Sequence, residues 1–102
     1  MKTLEEYTSG IASAISTDDF GSKTVRLDIA EVGSIYVSGA SVSNATDRAD
    51  CELKTDHATF EKMFHGQLDS TVAFGQGALQ IDGDMGLALK VPPLFVRAAT
   101  KS

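Results

Sequence analysis

The sequence predicts an α+β domain of two layers, a sheet and a set of helices. Three observations carry this. Strand-like stretches cluster between helical ones, so helices and strands are segregated rather than alternating. The well-patterned strands alternate apolar and polar residues, which gives each one dry face and one wet face. A chain of 102 residues suffices for one compact domain and not for two.

The elements follow in order. Residues 3–16 read as an amphipathic helix, because Leu4, Tyr7, Ile11 and Ile15 recur at spacings of three and four. Thr3 and Glu6 have capping-box spacing, so hydroxyl and carboxylate satisfy orphan amides of the first turn. The stretch STDDFGS then reads as a loop rich in turn formers. Residues 24–32 alternate, with Val25, Leu27 and Ile29 on one side and Thr24, Arg26 and Asp28 on the other. Gly33-Ser34 reads as a tight connection to a return strand over 35–38. Residues 39–44 form either a third strand or an irregular turn, and NATDR is a loop. The Asn44-Ala45-Thr46 triplet matches a glycosylation acceptor, a reading set aside because no secretory signal accompanies it.

Ala49, Cys51 and Leu53 alternate with Asp50, Glu52 and Lys54, so a further strand buries Cys51 on its dry face. Thr55 or Asp56 caps a helix to about His65, with Phe60, Met63 and Phe64 as its apolar stripe and Gly66 as its stop. Asp69 or Ser70 caps a short helix containing Val72, Ala73 and Phe74. Residues 78–82 are the last strand, Leu79 and Ile81 inward. Asp84 caps a helix over 85–90, Pro92-Pro93 stops it, and residues 94–100 add a turn or two.

Composition narrows the function. Apolar residues make up 42% and charged residues 23%, ordinary for a soluble globular domain. A net charge of −5, with scattered Lys and Arg, argues against a nucleic-acid partner, which needs a clustered basic face. Cys51 is the only cysteine, which fits a reducing compartment. The first residues lack the apolar core of a secretory signal, no apolar run approaches the roughly 18 residues of a membrane span, and the Thr-Lys-Ser ending is not an SKL-type peroxisomal address. A cytoplasmic protein is expected.

Candidate chemistry is thin. His57 and His65 lie about 12 Å apart along one helix, too far to share a metal. Asp82 and Asp84 flank Gly83 without the ligand pattern of a calcium loop, and read as an outward strand residue and a helix cap. The glycines of GQG and GDMG lack the lysine of a phosphate loop. No nucleophile, base and acid fall in a usable order, so no enzymatic activity, metal or cofactor is expected. What remains is apolar surplus. The dry face of the sheet with Leu4, Ile11, Phe60, Met63, Phe64 and Phe74 already builds a core, which leaves residues 85–95 as extra apolar surface. Core, docking surface and ligand site are all open at this point, the last because ligand sites are lined mostly by such side chains.

Ala49-Asp50-Cys51, Ala73-Phe74, Gln76-Gly77, Leu79, Ile81, Gly83-Asp84-Met85-Gly86-Leu87-Ala88 and Lys90 together form a pattern that resembles the sterol carrier protein type 2 family, with Ala78 standing where the family pattern has Lys. The resemblance, to a bacterial stand-alone member, implies a five-stranded mainly antiparallel sheet with helices on one face and an apolar tunnel between the layers. It implies non-catalytic binding and transfer of lipids such as fatty acids, fatty acyl-CoA, phospholipids or sterols, with transient membrane contact and a monomer or weak dimer. Phe74, Met85, Leu89 and Phe95 would line one tunnel wall, with Phe60, Phe64, Leu79, Ile81 and Leu94 around it and Gln76 near the mouth. The competing expectation is an interaction or dimerisation module docking through the apolar C-terminal segment.

Overall fold

A computed structural model describes residues 2–101; the serine that closes the Thr-Lys-Ser ending lies outside the described residues. Helix α1 (Leu4–Ala14) starts where the capping box places it. The Glu6 N–H donates to the Thr3 hydroxyl at 3.2 Å and the Thr3 N–H to the Glu6 carboxylate at 2.9 Å. Tyr7, Gly10, Ile11 and Ala14 form its buried face. The expected STDDFGS loop holds a second helix, α2 (Thr17–Phe20), with its own capping box from Ser16 and Asp19. Local polar side chains satisfy the orphan amides there, and Phe20 enters the core.

The sheet contains β1 (Thr24–Ile29), β2 (Gly33–Ser38), β3 (Ser41–Ser43), β4 (Cys51–Thr55) and β5 (Leu79–Gly83), in the order β3-β2-β1-β4-β5. The β1–β2 turn comes earlier than expected. Residues 30–32 make it, with Glu31 in the left-handed region at φ 67° and the Val32 N–H bonded to the Ile29 carbonyl at 3.0 Å. Gly33 is therefore the first residue of β2, not part of the turn.

Three pairings are antiparallel, while β1 and β4 run parallel, so the sheet is mixed though mainly antiparallel. Parallel neighbours need a crossover. Here the irregular segment 44–50 supplies it, held on the wet face by Arg26. One guanidinium nitrogen donates to the carbonyls of Thr46 and Asp47 at 3.2 and 3.0 Å, and another pairs with Asp28 and Glu52 at 3.0 and 3.1 Å. The wet face is thus partly covered by chain, which an alternating strand pattern does not reveal.

Helices α3 (His57–Phe64), α4 (Ser70–Gly75) and α5 (Met85–Ala88) begin at side-chain caps from Asp56, Asp69 and Asp84. The last helix, α6 (Val91–Lys101), corrects two expectations. Pro92-Pro93 does not stop a helix; it lies in the first turn of α6. First-turn amides have no intrahelical acceptor, so proline loses nothing there and its fixed φ suits the helix. Nor is the segment surplus. Leu87, Val91, Leu94, Phe95 and Ala98 are buried with Tyr7, Ile11, Phe60 and Phe64 against the dry face of the sheet. Helix α6 packs against α1, α3 and α5, while α4 and α5 lie over the β4–β5 end.

Candidate functional site

Aromatic rings fill the space between helices and sheet. Tyr7 meets Phe60 and Phe64 edge-on at centroid distances of 4.7 and 5.1 Å, and Phe95 meets the same two at 5.2 and 5.8 Å. The fully buried Tyr7 also carries a polar link. Its hydroxyl donates to the Glu61 carboxylate and lies 3.0 Å from His57 Nε2, while the other Glu61 oxygen takes His65 Nε2 at 2.9 Å. His57 and Glu61 thus tie α3 to α1, and His65 backs Glu61 from within α3, an arrangement their sequence spacing did not suggest.

Beside this cluster lies an apolar void of about 10 Å³, walled by residues that include Phe60, Met63, Leu79, Val91 and Phe95. It has room for about one water. A shallow groove of about 50 Å³ opens outside it, lined by Ser70, Thr71, Phe74, Ile81, Met85, Ala88 and Leu89. Ser70 borders both spaces. Phe74, Met85 and Leu89 stay 44%, 46% and 62% exposed, unusual for side chains this apolar. Larger hollows of about 450 and 550 Å³ lie on α1 and at the β1–β2 turn. Both are open, the first fringed by Glu5 and Glu6 and the second by Asp28, Glu31 and Lys54 beside Ile29, Ala30 and Val32, so neither is an enclosed cavity.

The groove is positioned by the chain's departure from the sheet. At Gly83 (φ 107°) a Cβ would stand 2.2 Å from the Asp50 carbonyl oxygen, so only glycine fits. Gly83 pairs with Cys51, and the Asp84 N–H donates to Asp50 O at 3.0 Å. The Asp84 carboxylate then accepts the Gly86 N–H at 2.8 Å and starts α5, which carries Met85 and Leu89 to the groove. The segments ADC and GDMG, remote in sequence, thus meet as one junction.

The structure divides the expected site residues into three groups. Phe60, Leu79 and Phe95 line the void. Phe74, Ile81, Met85 and Leu89 line the groove. Phe64, Leu94 and Gln76 touch neither: Phe64 and Leu94 are packed in the core, and Gln76 is exposed beyond the end of α4. Lining residues that sequence reasoning missed include Met63, Ser70, Ala88 and Val91. Met63 and Val91 were legible as apolar, whereas small side chains such as Ser70 and Ala88 carry no signal of their own.

Reactive chemistry is sparse. The Cys51 thiol is fully buried, and burial, followed by the charges of Asp84, Asp82 and Glu52, pushes its pKa up to about 11. It stays protonated at neutral pH and is no nucleophile. Among the described residues no three His, Cys, Asp or Glu side chains are grouped to hold a metal, and no helix is long and apolar enough to cross a membrane. Asp82 faces solvent and Asp84 acts as a helix cap.

An SCP-2 sterol transfer family model matches residues 4–96. The chain belongs to this family. Hydroxysteroid dehydrogenase-like protein 2 of Xenopus tropicalis is 43% identical over 57 residues, which are 56% of this chain and 14% of that protein. The chain therefore matches only a small part of the length of such relatives. The solution structure of Aedes aegypti sterol carrier protein 2 in complex with palmitate aligns with a TM-score of 0.73 at 15% identity, over 91% of this chain and 94% of that one. Apo sterol carrier protein 2 of Yarrowia lipolytica aligns at 0.67 and 15% identity, over 92% and 77% of the respective chains. At such identities the likeness shows the SCP-2 fold.

Proposed function

We propose that this SCP-2 domain binds the apolar chain of a lipid without catalysis and passes it on. The observation that carries the reading is an exposed apolar groove set against an apolar void, with one residue bordering both. Family membership and the palmitate complex of the mosquito protein support it. Ligand pockets typically measure about 300–1,000 Å³, so binding requires the space between the layers to open. Helices α4 and α5, of 6 and 4 residues, are the elements short enough to yield. Opened, the space is the apolar tunnel: Phe74, Ile81, Met85 and Leu89 receive the chain, and Phe60, Leu79 and Phe95 hold its far end. Phe64 and Leu94 back that wall, and Gln76 is the nearest polar neighbour assigned to the mouth.

Burying one methylene is worth about 0.8 kcal/mol, so a palmitoyl chain gains roughly 13 kcal/mol before association and ordering costs. That suffices for micromolar affinity without a strong polar contact. Fatty acids, fatty acyl-CoA, phospholipids and sterols are the ligand classes. A cytoplasmic monomer or weak dimer that touches membranes transiently completes the reading, in keeping with the single buried thiol. The competing module would dock through the apolar C-terminal segment, of which Leu94 and Phe95 are only 1% and 2% exposed, so that Leu89 and Val96, at 62% and 55%, are the side chains left to meet a partner.

The test is titration with a fluorescent fatty acid. Binding near one to one is expected, and Met85→Glu should abolish it while leaving the circular dichroism spectrum intact, because Met85 is half in solvent. Failure of fatty acid, acyl-CoA and sterol alike to bind at tens of micromolar removes the proposal.

A further inference from the structure

We infer that Ser70 is the sill between groove and void and sets how long an acyl chain the domain accepts. The inference rests on the lipid-binding reading. Among the described residues Ser70 alone lines both spaces. Three elements pass from one space to the other beside it. On β5, Leu79 faces the void and Ile81, two residues on and on the same face, borders the groove. At the α5–α6 junction, Ala88 borders the groove and Val91 the void. On α4, Ser70 stands at the boundary and Phe74, a turn later, lies at the groove.

Size completes the argument. The groove's walls are large and exposed, Phe74, Met85 and Leu89, whereas Ser70 and Ala88 are small and only 6% and 2% exposed. A passage closed by small buried side chains is opened by a modest shift and blocked by a larger side chain. Ser70 is also held in place. It opens α4, whose cap Asp69 accepts the Thr71 N–H at 2.7 Å and, through its carbonyl, the Ala73 N–H at 3.0 Å. The backbone under Ser70 is therefore fixed, and a larger side chain must be accommodated at the boundary of the two spaces.

The experiment measures the affinities of octanoate, laurate and palmitate for the wild type and for Ser70→Ala, Ser70→Val and Ser70→Leu, each checked for folding by circular dichroism and Tm. In the wild type, each methylene that reaches the apolar path tightens binding about fourfold. Ser70→Ala should keep this profile. Ser70→Leu should bind octanoate within about twofold of wild type but palmitate at least about tenfold more weakly, with no gain from laurate to palmitate; Ser70→Val should fall between. If the leucine variant does not fold, the valine variant carries the test. A folded Val or Leu variant with the wild-type chain-length profile overturns the inference. A wild type that binds none of the three overturns the inference about acyl length, and one that also binds neither acyl-CoA nor sterol overturns the lipid-binding reading as well.

Discussion

Removing the Phe95 ring tests whether α6 is a wall of the core or a lid laid over a finished one. Phe95 is 2% exposed, meets Phe60 and Phe64 at 5.2 and 5.8 Å, and borders the void. Losing the burial of such a side chain costs about 1.5–3 kcal/mol, and each aromatic pair adds about 0.5–1.5. The sum agrees with the roughly 3–5 kcal/mol typical of Phe→Ala in a core. That is a large part of the about 5–15 kcal/mol that stabilises a domain, and it should lower Tm by about 15–30 °C. Urea unfolding followed by circular dichroism measures it, with Leu89→Ala as a control expected to cost under about 0.5 kcal/mol because Leu89 is 62% exposed. The enlarged void should also accept apolar ligand. A fatty acid at 100 times its Kd should return about 2.7 kcal/mol of apparent stability. A Phe95→Ala cost below about 1 kcal/mol would refute the assignment of α6 to the core.

Gly83→Ala should destabilise by about 2–4 kcal/mol by denaturant titration, since the new Cβ meets the Asp50 carbonyl and the backbone must shift. Tyr7→Phe keeps the ring packing but deletes the hydroxyl shared by Glu61 and His57; a loss of about 1–3 kcal/mol is expected, read from the urea midpoint at constant m. Asp56 is held below the usual carboxylate range mainly by the Thr59 N–H that it accepts. A lowered folded pKa means that its contribution is present above about 3.9, the unfolded value, and is lost as pH falls through the folded pKa. Asp56→Ala should therefore cost about 1 kcal/mol at pH 7 and progressively less in acid, as Tm across a pH series will show.

What the sequence discloses here is what is local. Thr3 with Glu6, Asp56, Asp69 and Asp84 announce helix starts because a cap and the amides it satisfies lie within a few residues. The alternation of Val25, Leu27 and Ile29, or Cys51 and Leu53, announces buried strand faces for the same reason. The parallel β1–β4 pairing was not legible, because alternation fixes a face and not a partner or a direction. Pro92-Pro93 misled because proline suits a helix's first turn as well as the position after its last. Four of the expected lipid contacts share the groove and three the void, yet the division itself depends on Ser70 and Ala88, whose small side chains leave no periodic trace.

The packing of α1 against α6 also has a temporal consequence. The face of α1 that carries Tyr7 and Ile11 leaves the ribosome before its cover; Phe60 and Phe64 of α3 follow some fifty residues later, and Leu94, Phe95 and Ala98 of α6 some ninety. At about 5–20 residues per second, that apolar face waits on the order of ten seconds for its partner. Until its last helix appears the nascent domain thus carries apolar surface open to off-pathway association, and a chain shortened before α6 never completes its cover.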